Sequence, residues 1–531
     1  MTIKESLHKL IASLYPEAEV QIDYVPRDKT GDYSTNLAMK LAPAKGRPPM
    51  AVAEEMAARL NQAASTEEPL IECVNVHPPG FVNITIRRDR FWSALQTSTD
   101  IPKIGAKRRV LVEFVSANPT GPINIVSARA AAFGDALVKI LNATGHDAQT
   151  EYYINDSGRQ IELLAASVEQ RMLGLAGQPM QIPEEGYHGD YLIDVAEQAR
   201  ARGLSQHNDI KKFALEYFVE DHRQTMQSFG IMFNNWKRES QVRKNGAVEK
   251  ALAYLKDKKL TFEQDGALFF RTTDFQDVRD RVIVTGDGRF TYLLPDIAYH
   301  LDKINRGFDR LITVLGPDHI GQVPSLIGGL QAFGHPRDIL KVIIVQEVKL
   351  KKDGKVISMS KRAGTFTPLS ELLEKIPADV ARFFFLMRSC SQHLDFDLDL
   401  AMKESEENPV YYVQYAHARI QSLIAFGQEE GKVAPDDRRL DRLTAPEEMQ
   451  LIKTVVKFGD VTSDAAHLNE PYLLTYYLIE LARDFHFFYD RHRVVSDDPE
   501  LTGARLFLAN RTAATLKRGC ELLGIGCPDS M

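Results

Sequence analysis

Hydrophobic and polar positions follow three different patterns along the chain. Residues 1–97 combine early helical runs with two strand-like segments, at 71–76 and 81–86. Residues 98–376 contain short apolar segments separated by longer stretches with helical spacing. Residues 377–531 have helical spacing throughout. These patterns predict three domains: an N-terminal α+β domain, a central α/β domain and a C-terminal helical bundle.

The central domain is organised around a strand, a turn and a helix. Residues 110–112 form an apolar run typical of a buried strand, and residues 116–122 are rich in turn-forming side chains. Residues 128–140 have helical spacing, with Asp135 on the face opposite the apolar side chains. A helix that begins after such a turn offers free N–H groups to an anion. This layout is typical of nucleotide-binding folds but is common in other α/β domains.

Further strands are predicted later in this domain. Residues 151–158 indicate a short strand that ends in a turn, and residues 160–260 are largely helical and charged, as in an insertion. Residues 311–315 and 342–345 are apolar and β-branched, which is typical of buried parallel strands. Strands that alternate with helices in this way predict a doubly wound, Rossmann-type sheet.

Composition and charge narrow the class of protein. The 531 residues are 44% hydrophobic and 26% charged, as in globular proteins with full cores. A net charge of −7 argues against an overall basic surface, so a nucleic acid would have to bind local patches of Lys and Arg. The N-terminus is an amphipathic helix, and neither a signal peptide nor a membrane span is indicated. We therefore expect a cytoplasmic protein without a membrane partner.

The cysteine pattern agrees with a reducing compartment. The chain has four cysteines and no Cys-x-x-Cys pair, which argues against a disulfide framework and against a bound metal. Two of them, Cys520 and Cys527, are close enough along the chain to meet locally.

The turn of the central domain carries a family resemblance. SANPTGPINIVSAR, residues 116–129, resembles the first signature of class I aminoacyl-tRNA synthetases in its arginyl form. That family has Ser-Ala-Asn-Pro-Thr-Gly, two further residues and His-x-Gly-His-x-Arg. This chain keeps the first six residues and the final Arg129. The four positions from the first to the second histidine are Asn124, Ile125, Val126 and Ser127.

The resemblance covers nearly the whole chain. GDYSTNLAMKLA, EYYINDSG and NPVYYVQYAHARI are also similar to arginyl enzymes. It implies a class I synthetase catalytic domain at 98–376, with a family N-terminal domain and an all-α, anticodon-binding-like bundle on either side. It further implies a monomer, and tRNA contacts at Asn36, Tyr411 and Tyr415. The helical spacing of the two tyrosines is also that of ordinary bundle packing.

The signature positions at which this chain differs from the family are those that bind the nucleotide in the family. In the family the histidines donate to ATP phosphates, and the glycine lets the adenine lie flat on the backbone. Asn124 and Ser127 can donate neutral hydrogen bonds but carry no positive charge. Val126 places a branched side chain where the adenine would stack, while Gly121 is kept. Because loss of one preorganised donor commonly costs about 10²–10³ in rate, we predict slow or absent adenylation.

Two other segments resemble nucleotide-handling parts of the family. SMSKRAG, residues 358–364, is similar to the Lys-Met-Ser-Lys-Arg loop, and Lys361 stands where the family lysine grips pyrophosphate. GPDHIG, residues 316–321, is similar to Gly-Ala-Asp-His-His-Gly, with Ile320 at the second histidine. The resemblance implies ATP, with Mg²⁺, as the cofactor of this side of the site. The other matching residues are Met359, Ser360, Gly316, Asp318 and His319.

The positions that bind the amino acid in the family match this chain more closely than those that bind the nucleotide. A guanidinium group needs planar, paired acceptors, which carboxylates supply best. The family residues with this role correspond to Glu113, Tyr292 and Asp296, while Ser116 and Asn118 match residues that hold the backbone of bound L-arginine. Taken singly, Glu113 could be a surface residue of an edge strand and Asp296 a helix cap. Together they predict an arginine pocket.

Three hypotheses for the function follow. The first is a diverged paralogue that binds L-arginine and uses it outside normal aminoacylation, with Asn124, Ser127, His319 and Lys361 as the catalytic groups. The second is a working arginine–tRNA ligase, which converts ATP, L-arginine and tRNA to arginyl-tRNA, AMP and pyrophosphate. The third is a non-catalytic sensor of arginine or tRNA.

Overall fold

The computed structural model describes residues 1–63, 69–357, 368–429 and 433–531. Its N-terminal part contains α1 (Ile3–Leu14), β1 (Asp23–Tyr24), β2 (Tyr33–Thr35), α2 (Leu37–Lys45), α3 (Pro49–Ala63), β3 (Ile71–His77), β4 (Phe81–Ile86) and α4 (Arg88–Gln96). The four strands form an antiparallel sheet in the order β1-β2-β4-β3. The strands expected at 71–76 and 81–86 are therefore confirmed. Thr2 and Glu5 form a capping box that begins α1, whose Leu7 and Ile11 are fully buried.

The central part carries the parallel sheet. Its first elements are β5 (Arg109–Glu113), α5 (Ile125–Ala143), β6 (Asp147–Ile154), α6 (Arg159–Leu175), α7 (Tyr191–Ala201), α8 (His207–Ser228), β7 (Asn235–Arg238), α9 (Glu239–Lys244) and α10 (Ala247–Asp257). They are followed by β8 (Thr261–Gln264), β9 (Ala267–Phe270), β10 (Arg281–Val284), α11 (Leu293–Asn305), β11 (Arg310–Leu315), α12 (Val323–Ala332), β12 (Leu340–Ile344), β13 (Val348–Lys352), β14 (Lys355–Val356) and α13 (Leu369–Lys375). Short 3₁₀ helices span Thr272–Phe275, Pro317–Gln322 and Arg337–Ile339.

Five of these strands form a parallel sheet in the order β12-β11-β5-β6-β7. Alternate residues of β5 face opposite sides of this sheet. Val110 and Val112 share one buried cluster with α5, while Leu111 shares another with α11 and α12. The sheet is therefore covered by helices on both faces, which confirms the doubly wound fold. β8, β9 and β10 form a separate antiparallel sheet.

The order of the strands fixes where a ligand can bind. The chain runs outward from β5 through β6 to β7, and then returns to β11 on the other side of β5. The carboxyl ends of β5 and β11 therefore open onto the point where the strand order reverses, which is the usual ligand crevice of such sheets.

The C-terminal part is a helical bundle with one added strand. It contains α14 (Ala378–Leu386), β15 (Leu394–Asp397), α15 (Leu398–Ala401), α16 (Pro409–Glu429), α17 (Pro446–Val456), α18 (Phe458–Leu468), α19 (Tyr472–Arg491) and α20 (Pro499–Leu523), with a 3₁₀ turn at Leu440–Arg442. Among the described helices, none is long and apolar enough to cross a membrane.

Three local expectations are wrong. β7 lies in the stretch expected to be helical and pairs with β6 as an edge strand, and β15 interrupts the bundle by pairing with β13. Both are four-residue strands, too short for periodicity to reveal. Asp135 does not face solvent, because the bundle packs on that side of α5. It is buried and paired with Arg382 and Lys139.

Candidate active site

A strained turn follows the central strand β5. Val115 and Ser116 have φ angles of 67° and 41°, a region that β-branched residues such as valine rarely adopt. The Ser116 N–H donates to the Phe114 carbonyl at 3.0 Å and closes the turn. The Ser116 hydroxyl donates to Glu113 Oε1 at 3.0 Å and accepts from the Tyr153 N–H at 3.1 Å. Such strain is kept where neighbouring contacts enforce it, most often at functional sites.

Three side chains that the sequence did not single out hold the rest of the turn. The Tyr152 hydroxyl donates to the Ala117 carbonyl at 3.3 Å, and the Tyr191 hydroxyl donates to the Thr120 carbonyl at 3.1 Å. His222 Nε2 donates to the Gly121 carbonyl at 2.8 Å. These donors lie on β6, α7 and α8, and only their position in space connects them with the turn.

Close packing explains two glycines at this turn. A Cβ on Gly121 would lie 3.0 Å from the Tyr191 ring, and a Cβ on Gly134 of α5 would lie 2.2 Å from the ring of Phe114. Side chains at these positions would push α5 and the turn away from the end of β5. Gly121, expected at the nucleotide, is thus also needed for packing.

The start of α5 has an internal cap. Asn124 is its N-cap, and Oδ1 accepts from the Ser127 N–H at 2.8 Å. Any hydrogen bond from the Asn124 side chain to a ligand must therefore come from its nitrogen. Val126 is half-buried and packs on the core. The backbone N–H groups of Ile125 and Val126 have no acceptor within the helix, as is usual in a first turn.

Arg129, the last residue of the signature, is a structural residue. It is fully buried, and its guanidinium donates to the carbonyls of Gln346, Ser389 and Gln392 at 2.8 to 3.1 Å. Burial lowers the pKa of Arg129, because the surrounding groups desolvate its charge. The residue joins α5 to the segments that follow β12 and α14.

A pocket of about 520 Å³ lies beside this turn, and its charged lining consists of two carboxylates, Glu239 and Asp296, and two arginines, Arg159 and Arg243. Its wall includes Tyr153, Asn155, Glu239, Tyr292 and Asp296. Tyr292 is 52% exposed, as expected of a side chain at the mouth of a pocket. Glu239 is buried, and Oε2 accepts from the Asn155 side-chain nitrogen at 2.9 Å. The other oxygen of Glu239 pairs with Arg243 at 2.6 Å.

Asp296 is the carboxylate without a counter-ion in this pocket. It lies within the first turn of α11, whose N-cap is Tyr292, so the alternative of a helix cap is wrong. Among the residues that the structure describes, none makes a hydrogen bond or salt bridge to its carboxylate. Burial raises the pKa of Asp296 to about 7, and the negative charges of Glu113 and Glu239 add to this effect. A bound cation would reverse that shift.

Glu113 lies outside the pocket wall. It is buried at the end of the central strand β5, so the alternative of an exposed edge-strand residue is wrong. Its Oε2 accepts from the buried ammonium of Lys303, which also lies 4.1 Å from the centre of the Tyr299 ring. Glu113 is therefore neutralised within the protein. The structure does not bring it, Ser116 or Asn118 to the wall that Asp296 lines.

The segment after β11 carries residues that were expected to border the nucleotide. Gly316 begins the 3₁₀ helix Pro317–Gln322, and Asp318 and His319 are exposed on it. His319 Nδ1 lies 3.5 Å from Gln322 Oε1, a marginal contact. Because Thr313 of β11 pairs with Glu113 of β5, this segment and the signature turn leave the sheet at neighbouring points.

The loop with Lys361, Met359 and Ser360 lies outside the described residues. The described chain resumes at Pro368, which bridges to Asn124, and the Leu369 N–H donates to the Ile123 carbonyl at 2.8 Å. The residues that directly follow this loop, Pro368 and Leu369, are therefore attached to the turn of the first signature.

The chain resembles known protein families along most of its length. Three family models match consecutive parts of the chain. They are "Arginyl tRNA synthetase N terminal domain" at residues 1–86, "tRNA synthetases class I (R), catalytic domain" at 91–378 and "DALR anticodon binding domain" at 413–531. The chain belongs to the arginyl-tRNA synthetase family.

Individual proteins of this family are similar to the chain over all or nearly all of its length. The arginine–tRNA ligase of Citrifermentans bemidjiense is 43% identical over 522 residues, which cover 94% of this chain and 93% of that protein. The arginine–tRNA ligase of Bacillus subtilis is 38% identical, with coverages of 100% and 98%. A solved structure, the arginyl-tRNA synthetase of Thermus thermophilus, has a TM-score of 0.79 at 22% identity, covers 99% of this chain and all of that one, and supports the fold.

The residues expected to contact tRNA lie outside the synthetase crevice. Tyr411 and Tyr415 are half-exposed on α16, with their rings stacked at 6.0 Å, and His486 of α19 lies against Tyr415. Burial lowers the pKa of His486, which favours its neutral form. Asn36 precedes α2, and its buried Oδ1 has no hydrogen-bond partner among the residues that the structure describes.

Proposed function

We propose that this protein is an arginine–tRNA ligase that uses ATP with Mg²⁺ and acts as a cytoplasmic monomer. The observation that carries the proposal is the desolvated Asp296 carboxylate, which no described residue pairs with, on the wall of a pocket beside the signature turn. Guanidinium is the planar cation that such a pocket suits best. The relatives named above support this second hypothesis better than the diverged paralogue, because proteins of this name match over the full chain.

In this proposal the pocket holds the side chain of L-arginine. Asp296 accepts from the guanidinium, and Glu239, held by Asn155 and paired with Arg243, is a second carboxylate beside it. The ring of Tyr292 covers the mouth. Glu113 has a positioning role, because its bonds to Lys303 and Ser116 hold the turn. Asn118 and Ser116, on that turn, orient the backbone of the amino acid.

The first chemical step then takes place at the turn. A carboxylate oxygen of arginine attacks the α-phosphorus of ATP, and pyrophosphate leaves. In this proposal the N-terminal end of α5 faces the phosphates, with the Asn124 and Ser127 side chains as neutral partners. Lys361 supplies positive charge to the leaving pyrophosphate, and Gly316, Asp318 and His319 border the nucleotide. In the second step a tRNA ribose hydroxyl attacks the acyl carbon, and AMP leaves.

One assay tests the proposal. The purified chain is incubated with arginine and ATP, with and without tRNA, while AMP, arginyl-tRNA and any new arginine product are measured together. We expect AMP and arginyl-tRNA in equal amounts. An arginine-derived product without AMP would instead establish the diverged paralogue. The Asn124, Val126 and Ser127 replacements are the observation that favours that alternative. Binding without turnover would establish a sensor.

A matched pair of variants tests the pocket. Asp296→Asn removes the charge that faces the guanidinium and should lower kcat/KM for arginine by about 10²-fold, as loss of a buried charge partner typically does. Asp257→Asn makes the same change at the exposed end of α10, outside the pocket wall, and should leave kcat/KM unchanged. Equal activity of the two variants would contradict the assignment of Asp296.

A further inference from the structure

The C-terminal tail folds back on the last turn of α20. Gly524 has a left-handed conformation that reverses the chain, and the Ile525 N–H donates to the Cys520 carbonyl at 2.9 Å. Two side chains of α16 fasten the tail. Gln414 donates to the Gly526 carbonyl at 2.9 Å, and His417 Nδ1 lies 3.0 Å from the Pro528 carbonyl. The fold thus returns Cys527 to Cys520.

These contacts bring two thiols and an imidazole together. Cys520 is fully buried, whereas Cys527 is half-buried and open to small solutes. The tail thereby lies against both helices, and Cys527 is near enough to Cys520 and His417 for these groups to shift one another's pKa values. Within the described parts of the chain, no group of three or more His, Cys, Asp or Glu side chains is arranged to hold a metal ion. Two neighbouring thiols beside an imidazole are suited to thiol–disulfide chemistry.

The electrostatics differ between the two sulfurs. Cys520 lowers the pKa of Cys527, and His417 and Lys517 lower it further, although burial acts to raise it. The neighbouring Cys527, with burial and the charges of Asp379 and Glu521, raises the pKa of Cys520. Burial acts to lower the pKa of His417, but Cys527, the Pro528 carbonyl and Asp529 raise it overall. The cluster therefore has one thiolate and one thiol, as attacking and resolving cysteines require.

We propose that Cys527 and Cys520 form a peroxide-sensitive dithiol pair. The Cys527 thiolate attacks one oxygen of hydrogen peroxide, the O–O bond breaks, and Cys527 becomes a sulfenic acid while the other oxygen leaves as water after taking up a proton. The Cys520 thiol then attacks the Cys527 sulfur, the S–O bond breaks, and a second water leaves. The disulfide that forms is intramolecular and reversible by a dithiol, as transient disulfides in reducing compartments are.

Intact mass and peptide mapping of the full chain after brief exposure to hydrogen peroxide test the pair. We expect the loss of two hydrogen masses and a Cys520–Cys527 crosslink that dithiothreitol reverses. Cys527→Ser should form no such crosslink. Cys73→Ser, which removes an exposed cysteine on β3, is the matched control and should form it as the unaltered protein does.

A second variant separates the two steps. In Cys520→Ala the sulfenic acid has no resolving partner, so dimedone should label Cys527 in this variant and several-fold less in the unaltered protein. The folded state of each variant is checked by circular dichroism. Dimedone labelling of Cys527 to the same extent in both proteins, or first oxidation at Cys73, would overturn the proposal. Oxidation of Cys527 without the crosslink would overturn it as well.

Discussion

At the scale of single residues, Asp296 and Glu113 were expected to have the same role but differ in their charge partners. Both were expected to face the guanidinium of arginine. Glu113 is paired with Lys303, whereas Asp296 retains an unpaired, desolvated carboxyl group. Burial without a counter-ion favours the protonated form of an acid, and a guanidinium favours the ionised form. The desolvated carboxyl group of Asp296 therefore favours the binding of a cation beside it.

The raised pKa makes arginine binding depend on pH. Below pH 7 the free protein holds a proton on Asp296 that arginine must displace, so affinity should fall as pH decreases from 8 to 6, approaching about tenfold per pH unit. Calorimetric titration with arginine across this range measures the change. Asp296→Asn should bind weakly with no such slope. A pH-independent affinity of the unaltered protein would contradict the shift.

The raised pKa of Asp296 affects the free energy of unfolding in the opposite direction to arginine binding as pH changes. The pKa of Asp296 is higher in the folded state than its value of about 3.9 in an unfolded chain. The folded protein therefore binds more protons between these two values. The contribution of Asp296 to the free energy of unfolding should decrease as pH rises from about 4 to 7, and bound arginine offsets this decrease.

At the scale of an element, the first turn of α5 has two tasks. The Asn124 side-chain oxygen caps the helix at 2.8 Å, and the N–H groups of Ile125 and Val126 have no acceptor within the helix itself. A residue that was expected to act only in catalysis is thus also a structural cap. The turn before it is held by Tyr152, Tyr191 and His222, so its shape depends on the insertion.

Two substitutions separate these tasks. Asn124→Ala removes the cap and should lower the free energy of unfolding by about 1 kcal/mol. Asn124→Asp keeps an oxygen that can cap the helix, so stability should be retained. Its negative charge beside the phosphates should nevertheless slow arginine-dependent AMP formation. Denaturant unfolding and the AMP assay measure the two effects. Unimpaired AMP formation by Asn124→Asp would argue against phosphate binding at this turn.

At the scale of the whole molecule, buried charges join the catalytic sheet to the bundle. The Arg382 guanidinium of α14 pairs with Asp135 of α5 and donates to the Leu523 carbonyl of α20 and the Phe229 carbonyl after α8. Arg27 of the N-terminal part pairs with Asp484 of α19 at 2.7 Å. Contacts of this kind connect the pocket, the insertion and the bundle.

Breaking the buried pair should destabilise the fold. Arg382→Met leaves the Asp135 charge buried beside Lys139 only, and we expect a loss of about 3–5 kcal/mol in the free energy of unfolding. Arg518→Met breaks an exposed pair with Glu521 and should cost less than about 1 kcal/mol. Denaturant unfolding of the full chain compares them. Equal midpoints would mean that the Arg382 contacts contribute little.

The double variant Arg382→Met with Asp135→Leu provides a further check. It removes both charges of the pair, so it should recover part of the stability lost in Arg382→Met. No recovery would assign the loss to the carbonyl contacts of Arg382 instead.

The amino-acid sequence by itself determined the elements and the family. Apolar spacing is a local property, so it located β5, β11 and β12 and the helical bundle. The signature residues identified the family, because their types and order are specific. The arginine pocket was expected at Glu113, Ser116, Asn118, Tyr292 and Asp296, and the structure places only the last two on the wall of one pocket. Their roles, like those of Lys361, stay predictions.

Only the tertiary structure decided which groups are paired. Glu113 and Lys303 are 190 residues apart, and Asp135 and Arg382 are 247 apart, so no local pattern connects them. Glu239 and the donors of the signature turn were missed for the same reason. β7 and β15 exist because a neighbouring strand supplies their hydrogen bonds. Spacing along the chain shows which face of an element is apolar, but the partner that a charge meets depends on how distant elements pack.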